Sequence, residues 1–154
     1  FVIADVPFIP VPLHRDLLDL AHQRVLVLEP TLADMRDTLR LLALPAGPRQ
    51  TQNAVLVLNR LGLTGGLSRR QIEEGLKAKV DVVIPDLPRQ LRQAANLGEP
   101  AIATSSVFRR AITELARQVA SLALLDPIAP EGPATADRGR RWFSLPRTAS
   151  RKAA

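Results

Sequence analysis

Short apolar runs alternate along this chain with longer segments in which apolar residues recur every three or four positions. The short runs predict β-strands, and the longer pattern predicts amphipathic helices. This alternation is typical of β–α–β units with a parallel sheet between helices. We predict strands at Phe1–Val6, Arg24–Leu28, Asn53–Asn59 and Val80–Ile84, and helices at Leu13–His22, from Thr31 onward, and at Ser68–Ala78, Leu87–Ala95 and Ser106–Leu124.

Polar residues mark the starts of two of these helices. Thr31 stands three residues before Asp34, and Ser68 stands three residues before Gln71, which is the spacing of a capping box. In the helix after Thr31, the apolar positions that we expect to face the sheet are Leu32, Met35, Leu39 and Leu42. Those of the last helix are Phe108, Ile112, Leu115, Val119 and Leu122.

The composition agrees with a globular α/β protein. Of the 154 residues, 46% are apolar and 23% are charged, while only 3% are aromatic, so aliphatic side chains must build the core. The absence of cysteine excludes a disulfide framework and a cysteine-based metal site or nucleophile. No apolar run reaches the roughly 18 residues that a membrane span needs. Because Phe1 already lies in an apolar run, we expect a fragment whose N-terminal part is missing.

Charge and proline content set residues 126–154 apart from residues 1–125. The net charge of the whole chain is +6, and half of this excess lies in the last 29 residues, which prolines interrupt repeatedly. We therefore predict a flexible, Pro-rich basic tail. Its aromatic pair, Trp142-Phe143, could dock onto a partner or a membrane surface; packing back on the domain or simple solvation are the alternatives.

Polar residues follow three of the predicted strands. Asp5 ends the first strand, Asn59-Arg60 ends the third, and Pro85-Asp86 follows the fourth. In open parallel sheets, ligands bind outside the carboxyl ends of the strands. A carboxylate there can hold Mg²⁺, often through water, and an asparagine amide suits a purine edge. Each residue also has a simpler explanation, because Asp and Asn commonly form turns after strands and Arg60 could be solvated.

The order and spacing of these motifs resemble the MinD/ParA-type P-loop ATPase family over roughly residues 1–125. Within that family, the pattern is most similar to the CpaE/TadZ-type ATPases of Flp (Tad) pilus assembly. The matching segments are Ile3-Ala4-Asp5-Val6-Pro7, Val27-Leu28-Glu29-Pro30-Thr31 with Arg36, Val57-Leu58-Asn59-Arg60, and Ile84-Pro85-Asp86 with Ala94-Ala95-Asn96-Leu97-Gly98-Glu99-Pro100.

The resemblance implies the C-terminal half of a P-loop NTPase-like three-layer sandwich that binds ATP and Mg²⁺. Asp5 would be the Walker B carboxylate near Mg²⁺ and the catalytic residue of this chain. Asn59 would contact the adenine, and Pro85 with Asp86 would line the base pocket, with Arg60 adjacent. No G-x-x-x-x-G-K-[ST] sequence occurs in the 154 residues. We therefore expect this chain alone to hydrolyse ATP poorly or not at all.

The resemblance also implies a homodimer that nucleotide switches, in the cytoplasm, at a cell pole or near the membrane. Its partners would be proteins of the pilus and secretion machinery. A non-catalytic pseudo-ATPase scaffold is one alternative. A chromosome- or plasmid-partitioning ATPase is another, although we do not favour nucleic acid as a partner. In a partitioning ATPase, surface arginines would contact DNA, and the candidates are Arg69, Arg70, Arg89, Arg92, Arg109 and Arg110.

Overall fold

The computed structural model of the chain describes residues 2–6, 12–50 and 53–125. From residue 12 to residue 97, helices and strands alternate in the predicted order. The strands are β1 (Val25–Leu28), β2 (Val55–Leu61) and β3 (Val82–Pro85). The helices are α1 (Pro12–Leu20), α2 (Leu32–Leu42), α3 (Arg69–Leu76), α4 (Pro88–Leu97), α5 (Ala101–Thr104) and α6 (Ser106–Leu125).

The three described strands form a parallel sheet in the order β1-β2-β3. In the register, Val25 lies opposite Val55 and Leu28 lies opposite Leu58. Because neighbouring strands are parallel, α2 and α3 each cross over from the end of one strand to the start of the next. All three strands therefore end at the same edge of the sheet. We call this edge the carboxyl rim, formed by Glu29, Asn59–Leu61 and Pro85–Asp86.

Two apolar cores lie on opposite faces of the sheet. On one face, Leu28 and Leu58 pack with Ile72 of α3 and with Met35 of α2. On the other face, the core cluster of Val55, Val57, Val82, Ile84 and Ala111 packs with Phe108, Ile112 and Leu115 of α6. The central strand β2 is buried on both sides, which explains its unbroken apolar run. The predicted class, an α/β parallel sheet flanked by helices, is confirmed.

Among the described strands, β1 lies at one edge of the sheet, and the described helices cover only one of its faces. Leu28 is fully buried beneath the helices, whereas Val25 is exposed and Val27 is 61% exposed. The register places Val27 beside Val57, which is fully buried. Helix α6 contacts β2 and β3, so it covers Val57 and leaves this face of β1 open.

Both predicted helix starts are present, with one difference. Ser68 and Gln71 form a complete capping box, in which the Ser68 N–H donates to the Gln71 side chain at 2.9 Å. At α2, the Thr31 hydroxyl accepts the Asp34 N–H at 3.1 Å. The Asp34 carboxylate, however, accepts the N–H of Glu29 at 2.7 Å. It therefore fixes the turn that follows β1.

Two predictions about apolar residues are wrong. The strand expected at Phe1–Val6 does not form over residues 2–6, where Val2 and Ile3 are almost fully exposed. None of the three described strands pairs with this segment, and extended backbone is stable as a strand only where a neighbour takes up its hydrogen bonds. Asp5 was selected because it would lie at the carboxyl end of this strand, and residues 2–6 form no strand that places it there.

The second error concerns the face of α2. Leu32 is 68% exposed, and Leu39 is also exposed, although both were expected to face the sheet. The buried stripe instead runs through Met35, Thr38 and Leu42. These positions follow each other at intervals of three and four residues, and they give a narrower face that includes a threonine. A prediction based on apolar residues alone therefore missed Thr38.

The remaining predicted features have different outcomes. Helix α5 follows Pro100 and was not predicted as a separate element. The tail at 126–154, with Trp142-Phe143, lies outside the described residues. Among the helices of the described residues, none is long and apolar enough to cross a membrane.

Candidate functional site

The side chain of Arg60 connects the ends of all three strands at the carboxyl rim. Its Nη1 donates to the two carboxylate oxygens of Glu29, at 3.2 Å each. Its Nε donates to Oδ1 of Asp86 at 3.1 Å. Glu29 follows β1, Arg60 lies in β2, and Asp86 follows β3. We call Glu29, Arg60 and Asp86 the rim triad.

A β-bulge in β2 points Arg60 toward these partners. Leu58 pairs with Val83 and Leu61 pairs with Pro85, so two residues of β2 stand opposite one residue of β3. Asn59 and Arg60 are therefore the residues at which the ladder is irregular. Such bulges kink the strand locally and redirect a side chain, and they are rare between parallel strands.

The backbone of Arg60 is strained at this bulge. Its φ of +56° lies in the left-handed region, which costs an L-residue roughly 1–2 kcal/mol. Strained residues persist where their surroundings hold them in place. Here the rim triad holds the side chain, and the Leu63 N–H donates to the Arg60 carbonyl at 3.0 Å. The next residue, Leu61, accepts the Asp86 N–H at 2.8 Å.

The rim triad carries a net negative charge, since one guanidinium faces two carboxylates. The hydrogen bonds from Arg60 to Asp86, and then to Glu29, raise the pKa of the arginine above its ordinary value. Arg60 is therefore cationic at any physiological pH. The side chains of Arg60 and Glu29 are 40% and 37% exposed, and that of Asp86 is 18% exposed. Because water screens these ion pairs, their main effect is to fix the position of the Arg60 side chain.

The loop after β2 closes onto the turn after β1. The Leu67 N–H donates to the carbonyl of Pro30 at 2.8 Å. Gly66 lies so close to this turn that a Cβ would stand 2.9 Å from the Leu63 carbonyl oxygen and 3.0 Å from Pro30 Cγ. Only glycine fits there without a shift of the backbone. The loops after β1 and β2 therefore form one packed unit beside the rim triad.

The structure brings together four of the five residues selected from the sequence. Asn59 is half-buried in the bulge, Pro85 ends β3, and Arg60 and Asp86 are paired with each other. Arg60 is thus held by two carboxylates, with 40% of its side chain exposed to water.

Asp5 is separate from this group. It is exposed and lies in no helix or strand, and within the described part of the chain no hydrogen bond or ion pair joins it to the rim. The described residues also contain no group of three or more histidine or carboxylate side chains that could hold a metal ion. A role for Asp5 in binding Mg²⁺ remains a prediction.

Sequence reasoning did not select Glu29 as a site residue. A usable signal was present, because Glu29 directly follows the apolar strand β1, just as Asp86 follows β3. The criterion that selected Asp86, a polar residue at a strand end, applies equally to Glu29. Its partner could not be found in this way, since 31 residues separate Glu29 from Arg60.

Two of the solved structures that are similar to this chain contain MinD. One is the MinD cell division protein of Aquifex aeolicus, with 25% identity and a TM-score of 0.54, covering 68% of this chain and 46% of that one. The other is the MinC:MinD cell division protein complex of Aquifex aeolicus, with 25% identity and a TM-score of 0.54, covering 66% of this chain and 43% of that one. The chain thus spans less than half the length of the MinD structures that it matches.

No protein-family model matches the chain, and no curated protein sequence matches it. The connection of this chain to known proteins therefore comes from its structural similarity to MinD. It supports the MinD/ParA superfamily of P-loop ATPases, without distinguishing the pilus-assembly branch from the others. The chain has a MinD-like α/β fold.

Proposed function

We propose that this chain forms the base-binding side of the nucleotide site in a MinD/ParA-like ATPase that serves pilus assembly or positioning. The observation that carries the proposal is the meeting of Asn59, Pro85 and Asp86 at the carboxyl rim of a MinD-like sheet, with Arg60 bracing it. Ligands of open parallel sheets bind at this edge.

The chemistry of the rim suits adenine. An asparagine amide offers one acceptor and two donors, which can pair with the N6 amino group and N7 of adenine. Pro85 supplies an apolar ring at the end of β3, against which a base can stack. Asp86 adds a carboxylate that can accept a further hydrogen bond through the oxygen that Arg60 does not contact.

The same rim is poorly suited to phosphate. The rim triad has a net negative charge, and the glycines at 62, 65 and 66 are followed by no lysine of a phosphate-binding motif. The described residues therefore fit the nucleoside part of ATP and not its phosphates. Bound Mg²⁺ would neutralise phosphate charge, and Asp5 is the residue we propose as its ligand, through water. Turnover would need phosphate-binding groups beyond these residues.

The proposed setting is a homodimer switched by nucleotide that binds other proteins at the cytoplasmic side of the membrane. MinD of Aquifex aeolicus has been solved in complex with MinC, which supports the idea that a MinD-like fold works with a protein partner. Assignment to pilus assembly rests on three sequence motifs alone: Asp5-Val6-Pro7, the helix entry from Glu29-Pro30 to Arg36, and the Asn59-Arg60 step. A pseudo-ATPase scaffold would use the same fold without turnover.

The partitioning alternative receives less support from the surface arginines. Arg69 and Arg70 pair with glutamates one helical turn away, at 3.0 and 2.8 Å. Arg109 donates to the carbonyl oxygens of Ile102 and Ala103, at 2.7 and 2.6 Å. Half of the six arginines expected to contact DNA are thus engaged within the protein. We therefore propose protein partners in preference to nucleic acid.

Titration of the full ¹⁵N-labelled chain with Mg·ATP tests the proposed function, because correlation spectra detect even millimolar binding. We expect saturable shifts of the amides of Asn59, Leu61 and Asp86, and we expect the Asn59→Ala variant to lose them. Shifts that are absent, or that fall only on residues outside the carboxyl rim, would contradict a base site there.

A further inference from the structure

The guanidinium of Arg60 is committed to its two carboxylate partners. Nε contacts Asp86, and Nη1 contacts both oxygens of Glu29. The side chain is thereby held as a brace between strand ends, while its Nη2 makes no hydrogen bond within the described part of the chain. The route by which this brace can influence a bound base is the backbone that it holds.

That backbone includes the residue proposed to read the base. Asn59 and Arg60 together form the bulge of β2, and Arg60 holds the left-handed conformation at φ +56°. Without its side-chain partners, the bulge would be free to relax toward an ordinary conformation. Because Asn59 is the adjacent bulge residue, its amide would shift with that relaxation.

The backbone of Glu29 is held by two hydrogen bonds. Its N–H donates to Oδ2 of Asp34 at 2.7 Å, and its carbonyl accepts the Thr31 N–H at 2.8 Å. Both contacts come from the start of α2, so the helix fixes the backbone that carries this carboxylate. Asp86, in contrast, adjoins Pro85 and is itself a candidate base contact, so changing it would mix two roles.

We infer that Glu29 is a positioning residue that acts through Arg60 to hold the Asn59 amide, and that it thereby sets the preference of the rim for adenine over guanine. This inference rests on the proposed base site. Along the edge that the amide would read, adenine presents a donor and an acceptor, and guanine presents two acceptors. Only adenine matches an amide that offers one donor and one acceptor together, and this match needs accurate placement.

The decisive comparison is the Glu29→Gln variant of the full chain titrated with Mg·ATP and with Mg·GTP. We expect the Kd for Mg·ATP to rise about fivefold, while the weaker binding of Mg·GTP changes little. The ratio of the two Kd values is the informative readout, because general loosening of the structure would weaken both nucleotides alike.

Two further variants complete the test. Arg60→Lys keeps the positive charge, but one ammonium group cannot reproduce the forked contacts to both carboxylates, so we expect a similar loss of adenine preference. Glu74→Gln is the matched control. It removes the same charge from an exposed pair on α3, where Glu74 lies 2.8 Å from Arg70, and both Kd values should stay unchanged.

The outcomes separate the inference from the proposed function. If the wild-type chain shows no saturable binding at the rim, the base site itself is wrong, and the inference is wrong with it. If the wild-type chain binds Mg·ATP but Glu29→Gln leaves the ratio of Kd values unchanged, only the inference is overturned. An equal loss for both nucleotides would also overturn it, since Glu29 would then act on stability alone.

Discussion

Two ion networks in this molecule have opposite arrangements of charge. In the rim triad, one cation, Arg60, lies between two carboxylates. On α3, one carboxylate, Glu73, lies between two cations, with Arg69 at 3.0 Å and Lys79 at 3.3 Å. Glu73 also accepts the backbone N–H of Val80 at 3.0 Å. We call Glu73 with these three partners the α3 network.

Both networks stand beside a strained residue, but they hold it in different ways. Arg60 and Lys77 are the described non-glycine residues with positive φ, at +56° and +53°. Arg60 is itself the centre of its network. Lys77 only ends α3, and its side chain makes no hydrogen bond or ion pair with the described part of the chain. The rim therefore depends on tertiary contacts, whereas the α3 network stabilises a local turn.

The largest expected effect concerns the strain at Arg60. Arg60→Ala removes both ion pairs and keeps the left-handed backbone, while Arg60→Gly removes the same pairs and relieves the strain. We expect Arg60→Ala to be less stable than Arg60→Gly by roughly 1–2 kcal/mol of unfolding free energy. Urea unfolding of the two variants measures this difference. Equal stability would mean that the bulge relaxes freely once its side chain is gone.

The second prediction concerns a glycine substitution that should stabilise the protein, in contrast to Arg60→Gly. Lys77→Gly relieves strain without removing a described side-chain contact, so we expect the unfolding free energy to rise by about 1 kcal/mol. Arg60→Gly should give no such gain, because its relief is offset by the lost ion pairs. Urea midpoints of both variants against the wild type test this contrast. A gain at both positions would show that the rim triad adds no stability.

The smallest expected effect is the pH dependence of the α3 network, because its two cations are exposed and water screens their ion pairs with Glu73. The hydrogen bond from Val80, followed by that from Arg69, lowers the pKa of Glu73 from 4.5 to about 2. A lowered folded-state pKa gives stability that is complete above pH 4.5 and is lost as the pH falls toward 2, because the unfolded chain takes up the proton first. The Glu73→Gln variant should therefore differ most from the wild type near neutral pH.

Unfolding midpoints measured from pH 7 down to pH 2.5 give this difference directly. Glu74→Gln is the control, since its pair with Arg70 is far more exposed and should contribute nothing measurable. A gap between Glu73→Gln and the wild type that stays constant over the whole range would contradict the lowered pKa.

The sheet could be predicted from the sequence because each of its strands contains a short run of apolar residues. The three described strands begin one or two residues after the predicted positions, and the capping box at Ser68 is present as predicted. The segment at residues 2–6 has the same apolar character but no pairing partner among the described strands. An apolar run thus predicts a strand only where the rest of the fold supplies a neighbour.

The candidate site was predictable only in part, for a related reason. Polar residues at strand ends indicated Asn59, Arg60 and Asp86, and the spacing of four between Arg69 and Glu73 would have indicated a helical pair. The partners of Arg60 lie 26 and 31 residues away, and no local pattern encodes such distances. The positive φ of Arg60 is equally hidden, because glycine or asparagine would be the expected residue there.

The open face of β1 has a consequence for the behaviour of the protein in solution. Its sequence, Val-Leu-Val-Leu, contains no charge and no proline, and these are the features that usually keep an edge strand from pairing with a foreign chain. With its own Val25 and Val27 accessible on the open face, this short strand is the described part of the sheet best suited to nucleate association between copies as the concentration rises. A Val27→Lys substitution would interrupt that association, and the lysine would not enter either core.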